Sequence, residues 1–401
     1  MTVAGSKAIE RPEARAEERS AAGVACGAHA LHDGYTDLIV VMLPIWQAEF
    51  GLGYGELGLM RGLFAGTMAA FQIPAGLVAE RLGTPLVLAS GTALAGLGYC
   101  LAGASAGFSL LLVALVIGGL GASTQHPLAS ALMARAFAGA RSMKALGTYN
   151  FAGDIGKMTV PAVASVMLVA MPWRPVLALI GACGLVAAAA IYLLTPRYGA
   201  EKAVVQDART DAATSAGRYR FAYPVLVSIG VFDSATRMGF LLFLPFVLTE
   251  KGASLPTIGL ALTLVFAGGA AGKLVCAFIG ARIGAIATVW LTEGLTAAVI
   301  VALLPLPLEA ALVLLPVIGI ALNGTSSVLY GSVPDLVAPE WRARAFSIFY
   351  TGTIGAGAIA PALYGVVGDI VGVPSALLVV AGVVTLTLPL SLALRPALAR
   401  R

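Results

Sequence analysis

Charged residues are scarce in this chain of 401 residues: Asp, Glu, Lys and Arg together make up only 11%. Soluble globular domains carry about 25%. Hydrophobic residues account for 59% of the sequence, and the mean hydropathy is +0.92. This balance excludes an ordinary soluble domain and predicts a chain that crosses the lipid bilayer many times.

Cysteine is also rare, and the usual signatures of chemistry are missing. The four cysteines stand singly with no CxxC spacing, so we expect neither disulfides nor a structural zinc site. There is no HExxH, no nucleophile elbow and no glycine-rich phosphate loop. The sequence therefore predicts a protein that is not an enzyme, has no cofactor or bound metal, and does not hydrolyse ATP.

Long apolar segments recur along the whole chain, each long enough for one membrane-spanning helix. They are separated by a polar central stretch and flanked by polar termini. We predict a tail at 1–22, a six-helix bundle at 23–195, a linker at 196–221, a second bundle at 222–395 and a tail at 396–401. The twelve predicted spans are 26–50, 55–79, 84–104, 107–134, 142–170, 174–195, 222–249, 255–280, 284–304, 308–334, 342–368 and 373–394.

Basic residues alternate between the loops. They concentrate in the termini, the central linker and the even-numbered loops, while the odd-numbered loops hold only Arg174 and Lys251. By the positive-inside rule both termini are expected in the cytoplasm, with the chain in a bacterial-type inner membrane. The net charge of +5 follows from this topology and does not indicate nucleic-acid binding.

The two halves of the chain match at an offset of 200–201 residues. Asp33 aligns with Asp233, and the Arg-Leu-Gly ending at Gly83 aligns with the Arg-Ile-Gly ending at Gly284. Pro44 likewise aligns with Pro245, so the register of the matches is nearly constant. The pattern predicts an all-α membrane protein built from two pseudo-symmetric six-helix bundles, with a site at their interface.

The first predicted helix carries an unusual stripe of ionisable groups. His29, His32, Asp33 and Asp37 fall within an arc of about 140° on one face. Two acids one turn apart in a low dielectric favour protonation of one of them. We therefore predict a proton-coupling site made by these four residues. Hydrogen bonding to neighbouring helices, or capping of the helix end, is the structural alternative.

Other polar residues inside predicted spans are candidates for a substrate site, as intramembrane charges usually face a bundle interior. Asp154 with Lys157, and Asp233 with Arg237, have the spacing of ion pairs within one helix. Arg61 is expected to extend toward the outer end of its helix. The candidate substrate-binding residues are His126, Tyr35, Tyr149, Asn150, Asp154, Lys157, Asp233, Arg237, Lys273, Asn323, Tyr330 and Tyr350.

The loop between the second and third spans carries a family resemblance. It reads Gly76-Leu-Val-Ala-Glu80-Arg81-Leu-Gly83-Thr-Pro85 and resembles the G-x-L-A-D-R-x-G-R-R signature of the major facilitator superfamily. Glu80 replaces the usual Asp, and the trailing basic pair is missing. The resemblance implies a monomeric transporter in which the residues of conformational gating are Gly76, Glu80, Arg81, Gly83 and Arg135. It also implies that the side chain of Glu80 contacts the start of the eleventh span.

Within that superfamily, the sequence is most similar to the fosmidomycin-resistance-type exporters. The stretches that carry this similarity are His32-Asp33, Leu43-Pro44, His126-Pro127 and Gly153-Asp154-Ile155-Gly156. The resemblance implies alternating access and proton-coupled antiport that exports a small amphipathic compound or drug. Two alternatives stay open: a carrier of an anionic carboxylate or phosphonate bound by the intramembrane Lys and Arg, and a divalent-metal carrier using the stripe of the first helix.

Overall fold

The computed structural model describes residues 12–137, 140–197, 221–337 and 342–398. Within those ranges the chain forms fifteen helices and no strand. Most of the predicted linker and parts of both predicted tails lie outside the described residues. The helices are α1 Pro12–Phe50, α2 Tyr54–Leu82, α3 Thr84–Gly103, α4 Phe108–Ala122, α5 Gln125–Ala136, α6 Ala140–Ala170, α7 Trp173–Leu194, α8 Ala222–Glu250, α9 Leu255–Ile283, α10 Ala285–Leu303, α11 Leu308–Leu336, α12 Arg342–Val371, α13 Val373–Thr385, α14 Thr387–Leu392 and α15 Arg395–Leu398.

These helices form the twelve predicted spans, because α4 with α5, and α13 with α14, each continue one span. Within the described ranges, eleven spans are long and apolar enough to cross a membrane. The twelfth is α1, whose 39 residues include the charged stripe that lowers its hydropathy. The fold is thus that of two six-helix bundles.

The fourth span is interrupted between α4 and α5. Pro127 has no N–H to continue the helical ladder, and α4 ends at Ala122, one turn before it. The hydroxyl of Ser123 donates to the Leu120 carbonyl, and the hydroxyl of Thr124 donates to the Gly121 carbonyl. The interruption places His126 on the first turn of α5.

The repeat is visible in the backbone of the turns. Gly83 ends α2 with φ +87°, and Gly284 ends α9 with φ +83°. Gly51 and Gly252, which follow α1 and α8, have φ +65° and +88°. Because L-residues rarely adopt this conformation, glycine is required at both members of each pair. The 201-residue offset therefore reflects a duplicated helix–turn–helix geometry.

The two bundles contact each other tightly at one end of the molecule. We name the end with the α1–α2 turn the upper end, and the end with the α2–α3 turn the lower end. A Cβ on Gly58 of α2 would overlap the carbonyl of Pro361 on α12. Farther along α2, a Cβ on Gly66 would lie 3.8 Å from the Cβ of Ala358. A Cβ on Gly76 would have no neighbour within 4 Å among the described residues. The halves are therefore closed at the upper end and diverge toward the lower end.

Candidate substrate and proton site

A cavity of about 570 Å³ lies between the bundles. The first half lines it with α1, α2, α5 and α6, and the second half with α8, α9, α11 and α12. Most of the predicted charged residues meet there. The predicted site residues that line it are Asp33, Asp37, His126, Asn150, Lys157, Asp233, Arg237, Lys273, Tyr330 and Tyr350.

Asp33 is the centre of the ionic network in the first half. Its Oδ2 lies 3.3 Å from His29 Nε2 and 3.3 Å from Lys157 Nζ, and its Oδ1 lies 3.7 Å from His126 Nε2. The carboxyl is buried, so these contacts compensate its lost hydration. Three helices, α1, α5 and α6, thus supply one compact charged cluster.

Glycine spacing on α6 makes this cluster possible. A Cβ on Gly153 would lie 2.7 Å from both Asp33 Oδ2 and His29 Nε2. A Cβ on Gly156 would overlap the backbone carbonyl of Ala30 on α1, and one on Gly34 would overlap the side chain of Val160. Small residues at helix contacts let the backbones approach closely. The Gly153-x-x-Gly156 motif therefore brings α6 against the face of α1 that carries His29 and Asp33.

The tautomer of His29 follows from its second contact. Its Nδ1 lies 2.8 Å from the backbone carbonyl oxygen of Tyr149, which can only accept, so Nδ1 carries a hydrogen. In the neutral ring, Nε2 would then present a lone pair to the Asp33 carboxylate. The 3.3 Å contact between Nε2 and that carboxylate would therefore become a hydrogen bond only if the imidazole or the carboxyl group took up one more proton.

Asp37 and Arg61 form a second buried pair. Arg61 Nη2 lies 3.5 Å from Asp37 Oδ1 and 3.3 Å from the Sδ of Met238 on α8. The prediction that Arg61 extends toward the outer end of its helix is wrong. A carboxylate within reach holds the guanidinium inside the bundle, where its Nη1 has no hydrogen-bond partner in the part of the chain that the structure describes.

The two ion pairs predicted within single helices are also wrong. Asp154 is held by Lys273 of α9 at 2.7 and 2.8 Å, while Lys157 turns to Asp33. The reason is that α6 packs between α1 and α9, so its side chains find partners on both sides. Arg237 donates to Asn323 Oδ1 at 3.4 Å, and within the described ranges it has no ion pair with Asp233.

Several predicted site residues lie behind the cavity wall. His32 Nε2 bonds to the hydroxyl of Thr92 on α3 at 3.0 Å, and the Tyr35 hydroxyl donates to the Ile180 carbonyl on α7. The Tyr149 ring stacks on His29 with ring centres 4.1 Å apart, and its hydroxyl accepts from Gln125. These residues support the charged cluster, and the helix-1 stripe is thereby divided between two environments.

A triad of possible metal ligands differs from the predicted stripe. The donor atoms of His29, Asp33 and His126 lie within 4.8 Å of one another. His32 and Asp37 do not belong to this triad. The ammonium group of Lys157 contacts the same Asp33 oxygen as His29, so a cation of the protein itself already compensates the carboxylate.

The predicted gating residues lie at the lower end, where the halves diverge. The side chains of Glu80, Arg81 and Arg135 are exposed. In the part of the chain that the structure describes, Glu80 has no hydrogen bond or ion pair, and residue 341, just before α12, lies outside that part. The role expected for Glu80 therefore stays a prediction for a state in which the lower end is closed.

Sequence reasoning missed Asp369, which joins the halves at the upper end. This residue lies near the end of α12, and its Oδ1 and Oδ2 accept the backbone N–H groups of Tyr54 and Gly55 at 2.6 and 2.9 Å. It thus caps the N-terminus of α2, where a negative charge is favoured. The sequence shows only that Asp369 lies near the end of one predicted span and that Tyr54 and Gly55 lie near the start of another. Because these residues are more than 300 positions apart, the sequence does not indicate that they meet.

Comparison with known proteins identifies the family. The family model described as Major Facilitator Superfamily matches residues 25–232 and 226–401. The chain belongs to the major facilitator superfamily. Two curated relatives come from Escherichia coli strain K12. A probable L-galactonate transporter is 25% identical over 276 residues, covering 65% of this chain and 58% of that protein. A fosmidomycin resistance protein is 27% identical over 140 residues, covering 35% and 34%.

Both matches span less than two thirds of the relatives' own lengths. Solved structures match over almost the whole chain. A bacterial homolog of the human lysosomal transporter Spinster, in an inward-facing and unoccupied conformation, has a TM-score of 0.79 at 15% identity, covering 95% of this chain and 98% of that one. A point mutant of the nucleoside transporter NupG has a TM-score of 0.74 at 16% identity, covering 94% and 99%. At these identities the likeness establishes the fold.

Proposed function

We propose that this protein is an alternating-access secondary transporter that carries a small organic anion together with protons. The anionic substrate was one of the alternatives left open by the sequence, and the cavity favours it over an amphipathic drug. The supporting observation is the order of the charges around the cavity: Lys157, Lys273 and His126 are more exposed than the carboxylates with which they pair, while both partners of the Arg61–Asp37 pair are buried.

The exposed fractions of the side chains give this order. Lys157, Lys273 and His126 are 31%, 39% and 38% exposed. Their partners are largely covered: Asp33 is 11% exposed and Asp154 is 9% exposed. A ligand entering the cavity therefore meets ammonium and imidazole groups before it meets carboxylates. Such a surface attracts carboxylate or phosphonate groups and repels cations.

Arg237 is the strongest candidate for direct anion recognition. It lines the cavity; among the described residues, its one hydrogen bond is a long contact with the neutral Asn323, and its Nε has no partner. A planar guanidinium that is not committed to a carboxylate can bind the two oxygens of a carboxylate or phosphonate. Tyr330 and Tyr350, with ring centres 5.1 Å apart, give the cavity an aromatic wall against which the body of such a ligand can pack.

The nature of one relative supports the same substrate class. The named substrate of the probable L-galactonate transporter is a sugar-acid anion. The match covers part of that protein and does not identify the ligand of this chain. Together, the sugar-acid substrate of this relative and the cationic surface of the cavity favour small carboxylates as the substrate class.

Proton coupling is supported by the His29–Asp33 contact, which one additional proton would convert into a hydrogen bond. An anion bound beside this cluster makes the extra positive charge easier to hold, so anion and proton should bind cooperatively. Cooperative binding favours symport, in contrast to the antiport that the exporter resemblance implies. In the predicted orientation the cavity opens to the cytoplasm, and the halves would rock about the central site to expose it to the other side.

A binding experiment tests the substrate class. The purified protein in nanodiscs is titrated with an aldonate, an alkylphosphonate, an uncharged sugar alcohol and a cationic amphiphile by isothermal titration calorimetry. We expect an anion to bind, and Arg237→Gln to raise its Kd about 10- to 100-fold, since a hydrogen bond to a charged group contributes about 1.5–3 kcal/mol.

Arg282→Gln is the matched control, because Arg282 is exposed and lies outside this cavity. It should leave the Kd unchanged. Binding of the cationic amphiphile alone, with no effect of Arg237→Gln, would contradict an anion carrier and restore the drug-export hypothesis.

A divalent-metal carrier is the second candidate, because His29, Asp33 and His126 form a compact donor set. Titration with Mn²⁺, Co²⁺ or Zn²⁺ in the same nanodiscs tests it. If the triad holds a metal ion, binding should tighten in Lys157→Met, which removes the competing ammonium group. No heat of binding in either protein would eliminate this candidate.

A further inference from the structure

A pair of acids lies in the second half, apart from the Asp33 cluster. Asp233 of α8 is 3% exposed and Glu293 of α10 is 1% exposed, and their carboxyl groups interact directly. Arg237, one turn from Asp233 on α8, is the charged group that acts on both. Among the described residues, however, no basic side chain lies within 4.0 Å of either carboxyl, because Arg237 is turned to Asn323.

Two ionised carboxylates in contact, both removed from water, would repel each other without a counterion. The cost of burying even one unpaired charge amounts to several kcal/mol. A hydrogen bond between two carboxyl groups needs a donor, and only a proton on one of them provides it. Pairs of this kind therefore share a proton and titrate as one unit.

The neighbouring hydroxyl groups do not supply the missing hydrogen. Thr325 Oγ1 donates to Thr292 Oγ1 at 2.6 Å, and Thr292 Oγ1 donates to the Thr288 carbonyl at 2.9 Å. Thr325 also lies within hydrogen-bond reach of the Glu293 carboxyl, but its single hydrogen cannot serve both Thr292 and Glu293. Within the described ranges, Glu293 Oε1 is buried and has no hydrogen-bond partner. A proton on the Glu293 carboxyl would provide the donor that the oxygen atoms around it lack.

We infer that Asp233 and Glu293 hold one proton between them and form a second proton-binding site, located in the C-terminal half. Asp233 lines the central cavity, whereas Glu293 lies behind it. Protons can therefore reach the pair from the cavity through Asp233. The bound proton is a property of the resting protein, so this inference does not depend on the identity of the transported substrate.

Infrared spectroscopy of the protein in liposomes at neutral pH tests the inference. A protonated carboxyl has a C=O stretching band that is separate from those of carboxylates and that shifts in D₂O. We expect a protonated-carboxyl band, and we expect Glu293→Gln to remove from it the intensity of one carboxyl. Asp233→Asn is the second variant, because its amide can donate to Glu293 and thereby displace the shared proton.

Glu309→Gln serves as the matched control, since Glu309 is an exposed acid at the start of α11. Its spectrum in this region should equal that of the wild type. Size-exclusion chromatography identifies any variant that does not fold, and the other variant then provides the result. Unchanged spectra in both folded variants would overturn the inference. A sodium-specific rise in Tm without a protonated-carboxyl band would also overturn it, by assigning the site to a metal cation.

Discussion

The two halves share a backbone design but differ in their electrostatics. Asp233 lies within one residue of the repeat position of Asp33, and one turn further along the two helices stand Arg237 and Asp37. Asp33 is surrounded by His29, Lys157 and His126, whereas Asp233 interacts with another acid and leaves the nearby guanidinium turned toward the cavity. The duplication therefore preserved the helices and turns, while the charged residues diverged so that each half offers a different kind of ion site.

The largest expected effect comes from the helix contact beneath the Asp33 cluster. In Gly156→Ala, the new Cβ would overlap the rigid backbone of Ala30, which should destabilise the protein by about 3 kcal/mol. Gly357→Ala on α12, in the other half, places its Cβ near side-chain atoms only, 3.1 Å from Ser234 Oγ and 3.4 Å from Met238 Cγ, and these can shift. The apparent Tm in detergent should fall strongly for the first variant and little for the second. Equal losses would show that both halves are packed alike.

Removing the corresponding acid from each half should reveal a second difference between the two halves. Asp33→Asn leaves the half-buried ammonium of Lys157 without its carboxylate and should cost about 2 kcal/mol. Asp233→Asn removes an acid that already shares its proton, so the change in stability should be within about 1 kcal/mol of zero. Thermal unfolding of both variants checks this difference. A double variant, Asp33→Asn with Lys157→Met, should regain part of the loss, and no recovery would mean that the two residues are not coupled.

A smaller effect is expected where the halves meet at the upper end. Asp369→Asn removes the negative charge that caps α2, which weakens the closed upper end by about 1 kcal/mol. The population with an open upper end should rise about fivefold. Distance measurements between spin labels on the upper ends of α2 and α12 would detect it. Glu80→Gln should not raise this population, because Glu80 has no hydrogen bond or ion pair within the described ranges in this state.

The sequence was sufficient for the spans, the repeat and the presence of charges in the interior, because these depend on hydrophobicity and spacing along one helix. It did not show which charged residues on different helices pair with each other. Asp154 and Lys157 are neighbours on α6, yet they point to α9 and α1, and only the packing of helices decides this. Arg61 and Asp369 were misjudged or missed for the same reason. Partners that are distant in sequence depend on the tertiary structure.

Proton movement during transport tests the central claim, that the cationic cavity carries an anion together with protons. Proteoliposomes containing the purified protein and a trapped pH dye are supplied with an outward or inward gradient of an aldonate or phosphonate. We predict that the anion moves protons in its own direction, and that Arg237→Gln abolishes both the anion flux and the proton flux. Proton movement opposite to the substrate, or flux driven only by cationic or uncharged compounds, would contradict it.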